Sequence, residues 1–354
     1  MARAPRVPKA AQIEAAPAEP DLLDNAPPPR ETTRLFGHAE PVARLAAAFE
    51  SAPPQGLLFE GPKGIGKATL AFRLARALLS TVPGTPLAPD LASDPESRTA
   101  HQIAAGTHPG LMHLTRPYDE KTKRFKGDLT VDVVRRIVPF LGSTSADGGW
   151  RVVIVDAVDD MNINAANALL KALEEPPKRT IFILIAHVAG RVLPTIRSRC
   201  RAIRLRPLTE AEMRKALATM DVDPSLAEAG EGSLRRALIL AAAGADVVHT
   251  ARRLLTRTAL TDVRHHHQLA ELGAQRKDDQ FATIVDLVLD AMAARVRDGA
   301  GRLPLAALDA YAAAYLEATA DRRRVEVFNL DRKEVLLSLC DRLAAADRAA
   351  SNPA

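Results

Sequence analysis

The chain has 354 residues, 47% hydrophobic and 26% charged, which suits two or three folded domains. A net charge of +5 is too diffuse to identify a nucleic-acid-binding protein, and 4% aromatic residues argue against reading single strands mainly by base stacking. Two cysteines, Cys200 and Cys340, exclude a disulfide framework and a four-cysteine zinc site. No apolar run approaches the ~18 residues of a membrane span and no apolar h-region follows the N-terminal charges, so a reducing, cytoplasmic setting is expected.

Residues 1–30 hold 7 of the 25 prolines and 8 alanines without apolar periodicity, which predicts a flexible tail. Its removal is expected to leave stability nearly unchanged. A short helix is predicted across Ala43–Phe49, then a buried strand at Gly56–Phe59, a glycine-rich turn and a helix from Ala68 to Leu79. Residues 81–98 read as a loop, Leu111–Leu114 as a strand and residues 116–128 as charged and irregular. Val131–Leu141 reads as a helix whose last turn Pro139 bends or ends.

Trp150–Asp156 is a second buried strand that ends in an acid. A helix follows over Ala165–Leu173, then strands at Thr180–Ala186 and Ala202–Leu205. Strands alternating with helices predict an α/β fold, a parallel sheet with helices on both faces. Beyond Pro207 the chain turns helical and rich in Ala, Leu and Arg, in two parts split around residues 246–250.

The string Gly61-Pro62-Lys63-Gly64-Ile65-Gly66-Lys67-Ala68 nearly fits the phosphate-loop pattern G-x-x-x-x-G-K-[ST]. Gly61, Gly64 and Gly66 let backbone N–H groups curl around phosphates, Lys67 supplies a point charge, and the following helix adds its N-terminal dipole. Ala68 stands where a hydroxyl would hold Mg²⁺. Thr69 is rotated by ~100° about the helix and does not replace it. The competing reading is a loop of retained shape that binds nothing, so ATP binding is left open. Asp156 ends its strand where an acid would hold Mg²⁺, but Ala157 follows where a Glu would polarise water. Asp159 and Asp160 are expected to cap the next segment. Two separate defects point to a site that does not hydrolyse ATP.

Two further strings, Asn167-Ala168-Leu169-Leu170-Lys171-Ala172-Leu173-Glu174-Glu175-Pro176-Pro177 and Leu193-Pro194-Thr195-Ile196-Arg197-Ser198-Arg199-Cys200, resemble clamp-loader subunits of the AAA+ class. The missing hydrolysis residues make the chain most similar to the delta-prime type in bacterial DNA polymerase III. Gly232–Leu238 resembles the sensor-2 segment of that class, with Arg235 or Arg236 as its arginine. The resemblance runs from about Leu35 through Leu238 and more loosely to Leu343.

This resemblance implies an AAA+ P-loop domain (31–206), a small helical lid (207–248) and an all-helical collar (249–346), between flexible tails at 1–30 and 347–354. It implies a non-hydrolysing subunit that helps load the sliding clamp on primed DNA beside other loader subunits. The rival is an ATP-hydrolysing motor subunit, against which Ala68 and Ala157 speak. Arg199 would reach ATP bound by a neighbour, as a planar guanidinium suits phosphate oxygens. Gly61, Gly64, Gly66, Lys67, Asp156 and Arg235 would form a degenerate nucleotide site. No cofactor is required. Many relatives carry a four-cysteine zinc module that residues 81–110 lack, so neither zinc nor any other metal is expected; His101 and His108 alone do not replace four ligands.

Plainer readings compete elsewhere. Arg199 could bond only the carbonyls of its own short helix. Cys200 reads as a small buried residue. His265-His266-His267 point ~100° apart on a helix and read as a solvated face. Arg322-Arg323-Arg324 and the Lys121, Lys123, Arg124, Lys126 cluster read as solvated charge or phosphate contacts.

Overall fold

The computed structural model describes residues 19–51, 53–82, 84–142, 149–274, 278–328 and 330–351. The chain divides after Leu208 into two compact units.

The first unit begins its regular structure with α1 (Ala39–Ser51), β1 (Gly56–Glu60) and α2 (Lys67–Ser80). The chain then forms α3 (Arg98–Ala104), β2 (Leu111–Leu114), β3 (Tyr118–Asp119) and β4 (Arg124–Phe125). α4 (Val131–Arg135), α5 (Ile137–Gly142), β5 (Arg151–Asp156), α6 (Ile163–Glu174), β6 (Thr180–Ala186), α7 (Pro194–Arg197) and β7 (Arg201–Arg204) complete it. Five strands form one sheet in the order β2-β5-β6-β1-β7, and every neighbouring pair is parallel. β1, β5 and β6 are apolar on both faces, as a parallel sheet covered on both sides requires. On one face Leu57, Phe59, Ile154 and Ile183 pack with Leu70 and Leu74 of α2. On the other, Leu58, Val153, Val155 and Phe182 pack with Leu169 and Leu173 of α6. Continuous apolar strands therefore mark the sheet's centre, and the polar residues just past their ends mark its working edge.

Four local expectations need correction. Residues 19–30 are not a free tail: Glu19 is 8% exposed and bonds Arg30 at 2.9 Å. Buried Arg76 of α2 holds the same segment by donating to the carbonyls of Arg30 and Thr32, at 3.1 and 2.7 Å. Residues 1–18 of the expected tail lie outside the described residues. The 131–141 helix is broken at Arg136, three residues before Pro139. Proline has no N–H for Arg135, so the interruption falls a turn upstream of the ring. Residues 118–125 form a two-stranded hairpin instead of an irregular stretch, closed by Tyr118 edge-on to Phe125 at 5.2 Å. The loop up to residue 98 is followed by α3, which the periodicity did not mark; Ser97 caps it by accepting from Ala100 N–H.

The second unit is helical: α8 (Glu210–Thr219), α9 (Leu234–Ala243), α10 (Ala245–Leu254), α11 (Val263–Ala274), α12 (Asp278–Gly299), α13 (Leu305–Phe328) and α14 (Arg332–Ser351). Thr209 and Glu212 close a capping box at its start. The expected split at 246–250, and with it the lid boundary after 248, falls inside uninterrupted α10. The break lies at Gly244, whose φ of +100° a side chain would resist.

The expected flexible tail at 347–354 is helical to Ser351, because Asp347 is an internal anchor. Its Oδ1 accepts from Arg295 Nε and from the fully buried Tyr311 hydroxyl, both at 2.7 Å. Residues 352–354 lie outside the described residues, as do the side chains of Arg322-Arg323-Arg324. The histidine run is not a solvated face either. His266 is buried and meets Asp341 Oδ1 at 2.8 Å and the Leu260 carbonyl at 3.0 Å. Its neighbour His265 bonds the Ala259 carbonyl. Among the described residues no helix is long and apolar enough to cross a membrane.

Arg76→Met should lower unfolding free energy by about 1.5–3 kcal/mol in a urea titration, since two charge-assisted bonds to carbonyls are lost. An unchanged midpoint would mean that the Arg76 bonds to this segment contribute nothing net to stability.

Candidate functional site

The glycine-rich turn joins β1 to α2 at the C-terminal edge of the sheet. Gly61, Gly64 and Gly66 all have positive φ, at +150°, +84° and +102°. At Gly61 space forbids a side chain as well, because a Cβ would lie 2.5 Å from the Leu205 carbonyl oxygen. Gly66 is the N-cap of α2, so the helix dipole opens into the turn. His38 braces the turn through a 2.7 Å contact between Nε2 and the Ile65 carbonyl.

Lys67 is 3% exposed. Its ammonium donates to the carbonyl oxygens of Gly61 and Pro62 at 2.6 and 2.5 Å. The turn thus satisfies its own cation. Burial pushes Lys67 down from 10.5 to about 8, against the pull of Asp156 and Asp159. Asp156, past the apolar run of β5, is pushed up by burial, opposed by His113 and Lys67. Ala157 beside it is buried, and no carboxylate stands there. The structure therefore gathers Gly61, Gly64, Gly66, Lys67 and Asp156 at one edge.

Asp159 does not cap the next helix. Its carboxylate accepts from the backbone N–H groups of His187 and Val188, at 3.0 and 2.8 Å, tying the end of β6 to the end of β5. The helix is capped instead by Asn162, which accepts from Ala165 N–H. His187 was not singled out from sequence. It is the first polar residue after the apolar run Ile181–Ala186, the same position that marked Asp156. Burial, with Lys67 nearby, pushes it down from 6.5 to about 4, and its Nδ1 is buried without a hydrogen-bond partner.

Arg199 lies apart from this edge-of-sheet group in the loop between α7 and β7. Its Nη1 donates to the Thr195 carbonyl at 3.0 Å and its Nη2 to Glu174 at 3.1 Å. The plainer reading of a helix-capping arginine is thus met in part, yet 39% of the side chain stays exposed. Cys200 packs on Gly56, and burial pushes its thiol up to about 11, which makes it an inert small residue. Arg235 and Arg236 lie on α9 of the second unit. Arg236 pairs with Glu231 at 3.0 Å and with Asp290. Among the described residues no cluster of His, Cys, Asp or Glu could hold a metal ion.

Between about 8 and 10.5 the unfolded chain binds more protons at Lys67 than the folded chain, so this group adds stability as pH rises through that window. Lys67→Met removes that component. The difference in Tm between parent and variant should therefore move in the parent's favour as pH rises through the window; a constant difference would show that burial does not disfavour the Lys67 charge.

Residues 38–209 match the family model described as DNA polymerase III, delta subunit. The DNA polymerase III subunit delta' of Pseudomonas aeruginosa is 43% identical over 143 residues, 40% of each chain. The Bacillus subtilis subunit delta' is 34% identical over 171 residues, 48% of this chain and 47% of its own. A Mycobacterium tuberculosis DNA polymerase III subunit gamma/tau is 28% identical over 288 residues, 75% of this chain and 43% of that one. The chain spans less than half the length of these curated relatives. Glycine turn, parallel sheet and the match to the DNA polymerase III delta-subunit model coincide in the first unit, and part of this chain is similar to curated DNA polymerase III subunits delta'.

Proposed function

We propose that this chain is a non-hydrolysing, delta-prime-like subunit of a DNA polymerase III clamp loader. It holds neighbouring subunits in register while they use ATP to load the sliding clamp on primed DNA, and it offers Arg199 to a neighbour's nucleotide. The observation that carries this reading is the state of its own site. Lys67 is satisfied by loop carbonyls, Ala68 offers no hydroxyl to Mg²⁺, and Ala157 offers no carboxylate to water. Gly61, Gly64, Gly66, Lys67 and Asp156 form the remnant of a nucleotide site within the first unit. The helices after residue 207 serve as lid and then as collar.

Arg199 suits the trans role because little holds it back. An exposed arginine–carboxylate pair such as Arg199–Glu174 contributes only about 0.2–1 kcal/mol. A triphosphate brought alongside by a partner would outcompete one carboxylate, and arginine fingers elsewhere contribute ~10³–10⁵ in rate. Similarity to gamma/tau over 75% of this chain favours a second reading, an ATP-hydrolysing motor subunit. The two alanines oppose it, since a motor needs both the metal and the water-polarising group.

The isolated chain should show no ATP turnover above background, and Ala68→Thr alone should create none because Ala157 remains. Turnover that Lys67→Ala abolishes would establish the motor reading instead. Mixed with the other loader subunits, the chain should enter one hetero-oligomer, read as a single species by native mass measurement; a chain that stays alone would contradict the loader role.

A further inference from the structure

One lysine of the phosphate loop, Lys63, already pairs with an anion, and that anion comes from the chain itself. Asp21 Oδ2 accepts from Lys63 Nζ at 2.7 Å, in the middle of the glycine turn, and from Arg116 Nη2 at 3.2 Å. Arg116 in turn reaches Asp160 at 3.5 Å, past the end of β5. The Asp21 charge is felt by Asp156, Asp160 and His187, so it lies at the same mouth as the strand-end residues.

Asp21 is held there by its own ion pairs together with a built support. Two residues earlier, buried Glu19 meets Arg30 at 2.9 Å and His113 Nδ1 at 3.4 Å. Burial alone would raise the Glu19 carboxyl, but His113 and Arg30 outweigh it and hold it below its ordinary value. At the far end of the segment, Arg76 and Arg73 of α2 clamp the carbonyls of Arg30, Thr32 and Thr33. A strap fixed at both ends carries a carboxylate onto the turn.

We propose that residues 19–33 are a built-in occupant of the phosphate loop, with the Asp21 carboxylate in place of a phosphate anion in competition with nucleoside triphosphate. A tethered carboxylate acts at an effective concentration of order millimolar, so free nucleotide meets a competitor that dilution does not remove. A triphosphate would have to displace Asp21, take over Lys63 and draw Lys67 off its carbonyls. This inference needs only that the loop's donors suit phosphate; it stands or falls separately from the clamp-loader role.

The test compares MgATP binding by calorimetry to the full chain and to Asp21→Asn, together with hydrogen exchange of residues 19–33 in both proteins without nucleotide. Asp21 is 41% exposed, so the amide is expected to leave the Tm nearly unchanged. MgATP should bind the variant at least tenfold tighter, and residues 19–29 should exchange faster in it. Equal affinities, or no detectable binding to either protein, would overturn the proposal. Tighter binding with the strap still fully protected would also overturn it, because a mere change of local charge would then account for the gain.

Discussion

The buried Lys67 ammonium is the constraint on which the first unit's chemistry turns. A cation at 3% exposure must find acceptors, and in a nucleotide-bound loop phosphates supply them. Here the carbonyls of Gly61 and Pro62 do so. That solution needs the same left-handed glycines and the same helix N-terminus as phosphate binding. A phosphate loop can therefore hold its shape, its glycines and its lysine with no hydroxyl at Ala68 and no carboxylate at Ala157. Retention of the pattern is evidence of retained packing as much as of retained chemistry.

The sheet explains why the remaining groups converge. Parallel strands buried on both faces leave no room for polar residues until the strand ends, so Asp156, His187 and the glycine turn all appear at one edge. Asp159 ties two of those ends together through backbone N–H groups. The same edge accepts the 19–33 strap, whose carboxylates meet Lys63, Arg116, Arg30 and His113. Charges that would be costly to bury singly are paired across segments far apart in sequence.

Much of this was legible in the sequence, for identifiable reasons. β6 is read to the residue, because six consecutive apolar residues from Ile181 to Ala186, entered through Thr180 and closed by His187, admit little else. The glycine turn announces itself through spacing. What escaped depends on partners that lie far away in the chain. Glu19 and Asp21 sit in a proline- and alanine-rich stretch whose composition argues for disorder, yet partners such as His113, Lys63, Arg116 and Arg76 hold residues 19–30 in place. His266 reads as solvated until Asp341, 75 residues on, comes to meet it. Asp347 reads as tail until Arg295 and Tyr311 close on it. Local pattern reports periodicity well and long-range pairing hardly at all.

Arg199 shows the opposite case, a residue whose local contacts are ordinary and whose proposed role lies outside its own chain. Its bonds to Thr195 and Glu174 hold the guanidinium in place without burying it. The decisive measurement is single-turnover ATP hydrolysis in an assembled loader whose only change is Arg199→Ala, with Arg199→Lys beside it. The account predicts intact assembly, slowed turnover at the adjacent subunit's site, and poor rescue by lysine, which keeps the charge but loses the planar fork. Parental single-turnover rates in the Arg199→Ala assembly would contradict it and leave Arg199 as a structural cap.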